Sequence, residues 1–193
     1  LSWTNQDVQI NLTPSDALSG VTQTYYRVNN DSNWISAENT LLALTGKHVL
    51  YYYSIDQAGN VESIKQASIY IDKVQPIISV LSPIASAVFS YTQNLFIDFN
   101  ANDEHSGVNL LEAVLGNITV TQNQVINLFS YAIGVHSLLV TAWDNAGNSA
   151  GSQIFFKVID DIPPFTVSNA NSDWHNENIQ VLLESMDEKS NVK

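Results

Sequence analysis

Apolar and polar residues alternate along several short stretches of this chain. Val8, Ile10 and Leu12 are separated by Gln9 and Asn11. Leu95, Ile97, Phe99 and Ala101 alternate with Phe96, Asp98 and Asn100, and Ile179, Val181 and Leu183 repeat the pattern. A period of two sends successive side chains to opposite faces, so each stretch reads as a strand with one face on a core and one toward solvent. Further strands are predicted at 77–81, 108–115, 125–131, 135–143 and 152–159. No stretch carries a convincing amphipathic-helix pattern. Short strands at this spacing predict an all-β chain built of antiparallel β-sandwiches.

The strands are punctuated by motifs that return in the same order. Asp16-x-x-Ser19-Gly20-Val21 recurs as Asp103-x-x-Ser106-Gly107-Val108. Gly46-x-His48 recurs as Gly134-x-His136, and Asp56-x-Ala58-Gly59-Asn60 as Asp144-x-Ala146-Gly147-Asn148. The repeat is about ninety residues long, a period that marks an array of small domains. A third copy opens at Trp174, in line with Trp3, and continues to Asp187-x-x-Ser190. Three segments are expected: residues 1–73, a sandwich lacking its first strand; 74–161, a complete sandwich; and 162–193, the opening part of a third, truncated repeat. The joints are alike, Ile71-Asp72-Lys73-Val74-Gln75-Pro76 and Ile159-Asp160-Asp161-Ile162-Pro163-Pro164. Proline restricts the residue before it to extended conformations, so these joints are expected to be short and stiff.

On these residues the chain resembles the bacterial and archaeal Ig-like, fibronectin type III-like tandem repeats of secreted and cell-surface proteins. The resemblance rests on Trp3 and the strand after it, the Asp-x-x-Ser-Gly-Val loop, Gly-x-His, Asp-x-Ala-Gly-Asn and the joint running from aspartate to proline. It implies seven-strand-type antiparallel sandwiches that serve as spacer or adhesive modules, often beside catalytic or anchoring domains. Two departures stand out. Ser90-Tyr91-Thr92-Gln93 replaces the tryptophan in the second repeat, and Asn191 replaces the loop glycine in the third.

The recurring acids are the candidate site. In a sandwich of this topology the loop after the second strand and the last hairpin lie at one end, bringing Asp16 toward Asp56 and Asp103 toward Asp144. Glu104, Asn148 and the Ser106 hydroxyl are placed to join the second pair. Calcium takes about six to eight hard oxygen ligands from irregular loops, and it is the ion this set would suit. The competing account needs no metal: Asp and Asn accept hydrogen bonds from their own turn backbone. No contiguous EF-hand loop is present.

Other chemistry is thinner. Of the four histidines, His48 and His136 recur, one in each repeat, and read as corner residues whose ring bonds to nearby backbone; His105 lies in an acidic loop, and His175 does not recur. There is no Gly-x-Ser-x-Gly elbow, and acids that recur as turn residues do not make a catalytic pair, so no enzyme is expected. Tyr51 and Tyr53 are predicted outward and Tyr52 inward. The outward pair suits packing against the sheet surface or a neighbour, or else stacking on a glycan. Asn11, Asn30 and Asn117 stand in N-x-Ser/Thr triplets.

Charge narrows the partners. Nineteen acidic against seven basic residues give a net charge of −12. Such a surface repels phosphate backbones, so nucleic acid is excluded as a partner, and no apolar run suits direct membrane insertion. With no cysteine there is neither a disulfide framework nor a thiolate metal site. The expectation is a non-catalytic spacer or stalk, extracellular or on the cell surface, cut from a longer polypeptide. Its partners would be the neighbouring domains of that polypeptide. The alternatives are an adhesin module that binds glycan or protein, and an accessory domain of a secreted hydrolase. Phe165–Asn169 reads as an orphan strand beside an open first repeat, which predicts self-association by strand donation.

Overall fold

The structure is a computed structural model that describes residues 2–37, 40–170 and 177–189. It is an all-β sandwich fold. In the first repeat the strands are β1 (Val8–Ile10), β2 (Val21–Val28), β3 (Ile35–Ser36), β4 (Thr40–Leu42), β5 (Gly46–Asp56) and β6 (Lys65–Ile71). The strand order β3-β2-β5-β6 forms one antiparallel sheet, and β1 pairs with β4 in another. Their inward side chains, Ile10, Tyr26, Leu42, Leu50 and Ile71, make one buried cluster, with Val8, Leu12 and Tyr52 against it. Tyr26 pairs with Tyr52 and Tyr25 with Tyr53 across β2 and β5. The predicted facing follows: Tyr52 joins the core side, while Tyr53 stacks on Tyr25 at 5.4 Å on the other face.

The second repeat contributes β7 (Ile77–Ser82), β8 (Val88–Ser90), β9 (Asn94–Phe96), β10 (Asp98–Asn102), β11 (Val108–Leu115), β12 (Ile118–Val120), β13 (Val125–Asn127), β14 (Gly134–Asp144) and β15 (Ser149–Ile159). The order β12-β11-β14-β15-β8 makes a five-stranded sheet, with β8 parallel to β15; β7 pairs with β10 and β9 with β13. The strand predicted at 125–131 stops at Asn127, whose side chain accepts from the Phe129 amide and starts a 3₁₀ turn over Leu128–Ser130.

The chain divides into two compact units that do not follow the repeat. One comprises Leu1–Ser79, Asn100–Glu112 and Val140–Ser152; besides the cluster above it buries Thr24, Asp72, Val140, Ala142 and Asp144. The other comprises Val80–Phe99, Ala113–Leu139 and Gln153–Lys193, and buries Leu95, Ile97, Phe99, Leu115, Leu138 and Phe156, among others. Within this second unit, β16 (Phe165–Ser168) pairs antiparallel with β17 (Leu183–Met186), Phe165 opposite Met186. The strand expected to be an orphan therefore has its partner in the same chain. The alternation at 179–183 yields strand only from Leu183. Trp174, His175, Ser190 and Asn191 lie outside the described residues.

Candidate functional site

The recurring loops share one backbone design. Gly20 and Gly107 have φ of 77° and 79°, and Gly59 and Gly147 have 86° and 92°, a left-handed conformation that glycine adopts without steric cost. In both repeats the hairpin closes in the same way. Asp56 N donates to Asn60 O at 3.1 Å and Asp144 N to Asn148 O at 3.0 Å. The hairpin is tied to the neighbouring loop by Gln57 N to Gly20 O at 2.9 Å and by Asn145 N to Gly107 O at 3.0 Å.

In the first repeat Asp16 Oδ1 accepts from the amides of Leu18, Ser19 and Gly20 at 3.0, 2.7 and 2.9 Å. Those amides hold its carboxyl below its ordinary value of 3.8. Asp56 is lowered chiefly by the Asn60 side chain, which donates to Oδ2 at 2.7 Å. The Ser19 hydroxyl donates to Asp16 Oδ1 at 3.2 Å. A cleft of about 380 Å³ lies beside both acids, lined in part by Asp16, Asp56, Asn60, Glu62 and Lys65.

The second repeat repeats this arrangement and adds a residue. Asp103 Oδ1 accepts from Ser106 N and Gly107 N at 2.9 and 2.7 Å. Asp144 Oδ1 accepts from Ala146 N and Asn148 N, and its Oδ2 from Asn148 Nδ2 at 2.7 Å. Asp72, from the joint, completes a trio: one carboxylate oxygen of each of Asp72, Asp103 and Asp144 lies within 4.8 Å of the others. Asp72 is 0% and Asp144 1% exposed. Asp72 Oδ1 takes the Val74 amide at 3.0 Å and Oδ2 takes the Ser106 amide at 3.0 Å. Burial raises the Asp72 pKa, but the Ser106 and Val74 hydrogen bonds outweigh it and leave the carboxyl below 3.8.

The other expected ligands are placed differently. Glu104 is exposed and outside the trio. Asn148 presents its amide nitrogen, donating to Asp144 and also to the carbonyls of Asp72 and Val74 at 2.8 and 3.1 Å. It thus grips the joint backbone instead of facing the acids with its oxygen. Sequence reasoning missed Asp72 as a member of the site. The signal that could have found it was the Ile-Asp pair kept at both joints.

The trio is chemically able to take a hard divalent cation. Asp103 Oδ2 is buried and has no hydrogen-bond partner. Among the described residues the ion pairs are Lys65–Glu62 and Lys73–Asp7, so no lysine or arginine is paired with the three acids. Most of their remaining oxygens accept from turn amides.

His48 and His136 behave as corners. His48 Nε2 lies 3.1 Å from Thr45 O and His136 Nε2 2.8 Å from Ala132 O; a carbonyl partner makes each Nε2 the donor. On the outer face of β2 and β5, Trp34 meets Tyr53 edge-on at 4.7 Å, and the Arg27 guanidinium lies over Trp34 and Tyr51.

No family model matches the chain, and no curated protein matches it. Among solved structures it is similar to fibronectin(III)-like modules of Clostridium thermocellum CbhA, at 14% identity over 92% of this chain and 94% of that one, with a TM-score of 0.39. It is also similar to Drosophila N-cadherin EC1-3, at 19% identity over 71% of this chain and 55% of that one, TM-score 0.31. A third is the Bacteroides ovatus mixed-linkage glucan utilization locus protein SGBP-B in complex with a heptasaccharide: 12% identity, 98% of this chain and 57% of that one, TM-score 0.29. The chain thus spans little more than half the length of the last two. Among the described residues no helix is long and apolar enough to cross a membrane.

Proposed function

We propose that this chain is a non-catalytic spacer of a larger extracellular or cell-surface protein, made of repeats locked to one another at their joints. The observation that carries this reading is the grip on residues 72–74. Ser106 N bonds the Asp72 carboxylate, and Asn148 Nδ2 bonds the Asp72 and Val74 carbonyls. An unshared bond of this kind contributes roughly 0.5–1.5 kcal/mol net; here the Ser106 amide also serves Asp103 and the Asn148 side chain also serves Asp144, so joint and loops are held by one shared network. A stalk needs this: the connection must resist bending more than it needs to recognise anything. Calcium is the ion that the trio of Asp72, Asp103 and Asp144 would take, and binding there would cross-link the joint to both loops that grip it.

A second reading has its own observation. The outward cluster of Tyr25, Arg27, Trp34, Tyr51 and Tyr53 offers aromatic faces of the kind that stack on sugars or apolar partners, as an adhesin module would require.

Trypsin tests the lock, because Lys73 lies within the gripped segment and is exposed. Cleavage needs the backbone to leave its hydrogen bonds. The expected result is slow cutting at Lys73–Val74 in the intact chain. Asp72→Ala, which removes the Val74 amide's acceptor and one of the two acceptors of the Ser106 amide, should cost about 1–3 kcal/mol and speed cutting there on the order of tenfold or more. Rapid cutting of the unsubstituted chain at Lys73 would remove the basis for a stiff joint.

A further inference from the structure

The first repeat holds the same two loops in the same backbone conformation, yet its site residues are far more open. Asp16 is exposed where Asp103 is half-buried, and Asn60 is exposed where Asn148 is half-buried. Asp56 is half-buried where Asp144 is 1% exposed. The sharpest contrast is on the rim. Leu18 is 98% exposed, whereas His105, at the corresponding position of the second repeat, is half-buried and close enough to Asp72 for its charge to lower that carboxyl. Beside it, Ser19 N and Asn60 Nδ2 are the counterparts of the two nitrogens that grip the joint in the second repeat.

In the second repeat those donors have known acceptors. Ser106 N serves a joint carboxylate, and Asn148 Nδ2 serves two joint carbonyls. Their counterparts in the first repeat are Ser19 N, which bonds Asp16 Oδ1 at 2.7 Å, and Asn60 Nδ2, which bonds Asp56 Oδ2 at 2.7 Å. Each of these bonds has its match in the second repeat, where the same two nitrogens bond the joint as well. The socket is therefore preformed, with glycines 20 and 59 holding the loops in the conformation they adopt around a joint.

We propose that Leu18, Ser19 and Asn60 form a socket for a joint peptide of the type apolar–Asp–x–Val/Ile, carried by a neighbouring repeat of the same polypeptide. The aspartate of that peptide accepts from Ser19 N, its backbone carbonyls accept from Asn60 Nδ2, and Leu18 is covered. This assignment rests on reading residues 72–74 as locked. Because the incoming aspartate joins Asp16 and Asp56, the docked state again gathers three carboxylates, and calcium strengthens it.

The test uses the whole chain, isotope-labelled, titrated with a synthetic peptide of sequence 70–76 blocked at both ends. The expected result is saturable amide shifts at Leu18, Ser19, Gly20 and Asn60, tighter in millimolar calcium than in chelator. A peptide with its aspartate changed to alanine should give no such shifts. Asn60→Ala should weaken binding at least tenfold. Leu18→Glu should do the same with the rest of the spectrum unchanged, since Leu18 is 98% exposed. Shifts confined to Ser106 and Asn148 would mean that the peptide only exchanges with the chain's own joint, and would overturn the socket; so would the absence of saturable shifts. Self-association of the chain that Leu18→Glu abolishes would overturn the assignment to the same polypeptide. Cutting at Lys73–Val74 separates the two readings. Protection there without peptide binding defeats the socket alone, whereas fast cutting defeats the lock on which it rests.

Discussion

Asp72 belongs by its backbone to one repeat and by its carboxylate to the next. Its two oxygens serve Val74 on one side and Ser106, 34 positions along the chain, on the other. This residue was hidden in the sequence, where it reads as punctuation before a proline; only the fold carries it to loops so distant in the chain. Asp103 and Asp144 were legible because their motifs recur, and a repeated acid in a repeated turn has a defined place in a sandwich. A pH dependence follows from Asp72. Its folded pKa lies below the ordinary 3.8, so the bonded carboxylate contributes stability that is fully present above 3.8 and lost as the pH falls through its lower folded value. Acid titration followed by tryptophan fluorescence should therefore show a loss of stability below pH 3.8 that is smaller in Asp72→Ala. Equal loss in both proteins would mean that other carboxylates govern the acid transition.

At the scale of elements, one hairpin, one loop and a joint make the site, and each is explained locally. The β14–β15 hairpin places Asp144 and Asn148 together because Gly147 accepts φ of 92° between them. The β10–β11 loop turns on Asp103, which collects the Ser106 and Gly107 amides. The strands flanking these turns were legible: the stretch predicted at 108–115 is β11 as observed, and the one at 135–143 is β14 within a residue at each end. Strand ends set by side-chain capping were not, as at Asn127, since alternation carries no information about a cap. Convergence of three acidic elements also predicts a response to calcium. Thermal unfolding of the full chain should shift upward by several degrees in millimolar calcium relative to chelator, and not with equal magnesium, which tolerates an irregular site poorly. Asp72→Ala should remove most of the shift. A midpoint that calcium leaves unmoved would make the trio purely a hydrogen-bonded turn.

For the molecule as a whole, the sequence period and the compact units differ. The first repeat forms one unit with residues 100–112 and 140–152, the segments that carry Asp103, Ser106, Asp144 and Asn148. Local alternation could reveal the repeat, but not which segments are held together, because that depends on bonds made by side chains from separate strands. Hydrogen exchange reads the difference. Amides at 103–107 and 144–148 should open together with those of β2 and β5, and not with the β11–β12 turn at 115–118 that belongs to the other unit. Exchange that follows the ninety-residue period instead would make each repeat its own folding unit.

The sharing of Asp72 across a boundary also constrains how such arrays can be rearranged. A cut between Lys73 and Val74, the natural choice when boundaries are read from the period, leaves the aspartate in one piece and its donors in the other. A shuffled array assembled from pieces cut there keeps its contacts only if every new neighbour ends in the same joint. Pieces cut inside a repeat, with joint and gripping loops inherited together, carry their own fit with them. Gene duplication that respects this would preserve the joint as faithfully as the core, and an engineered array should be divided in the same place.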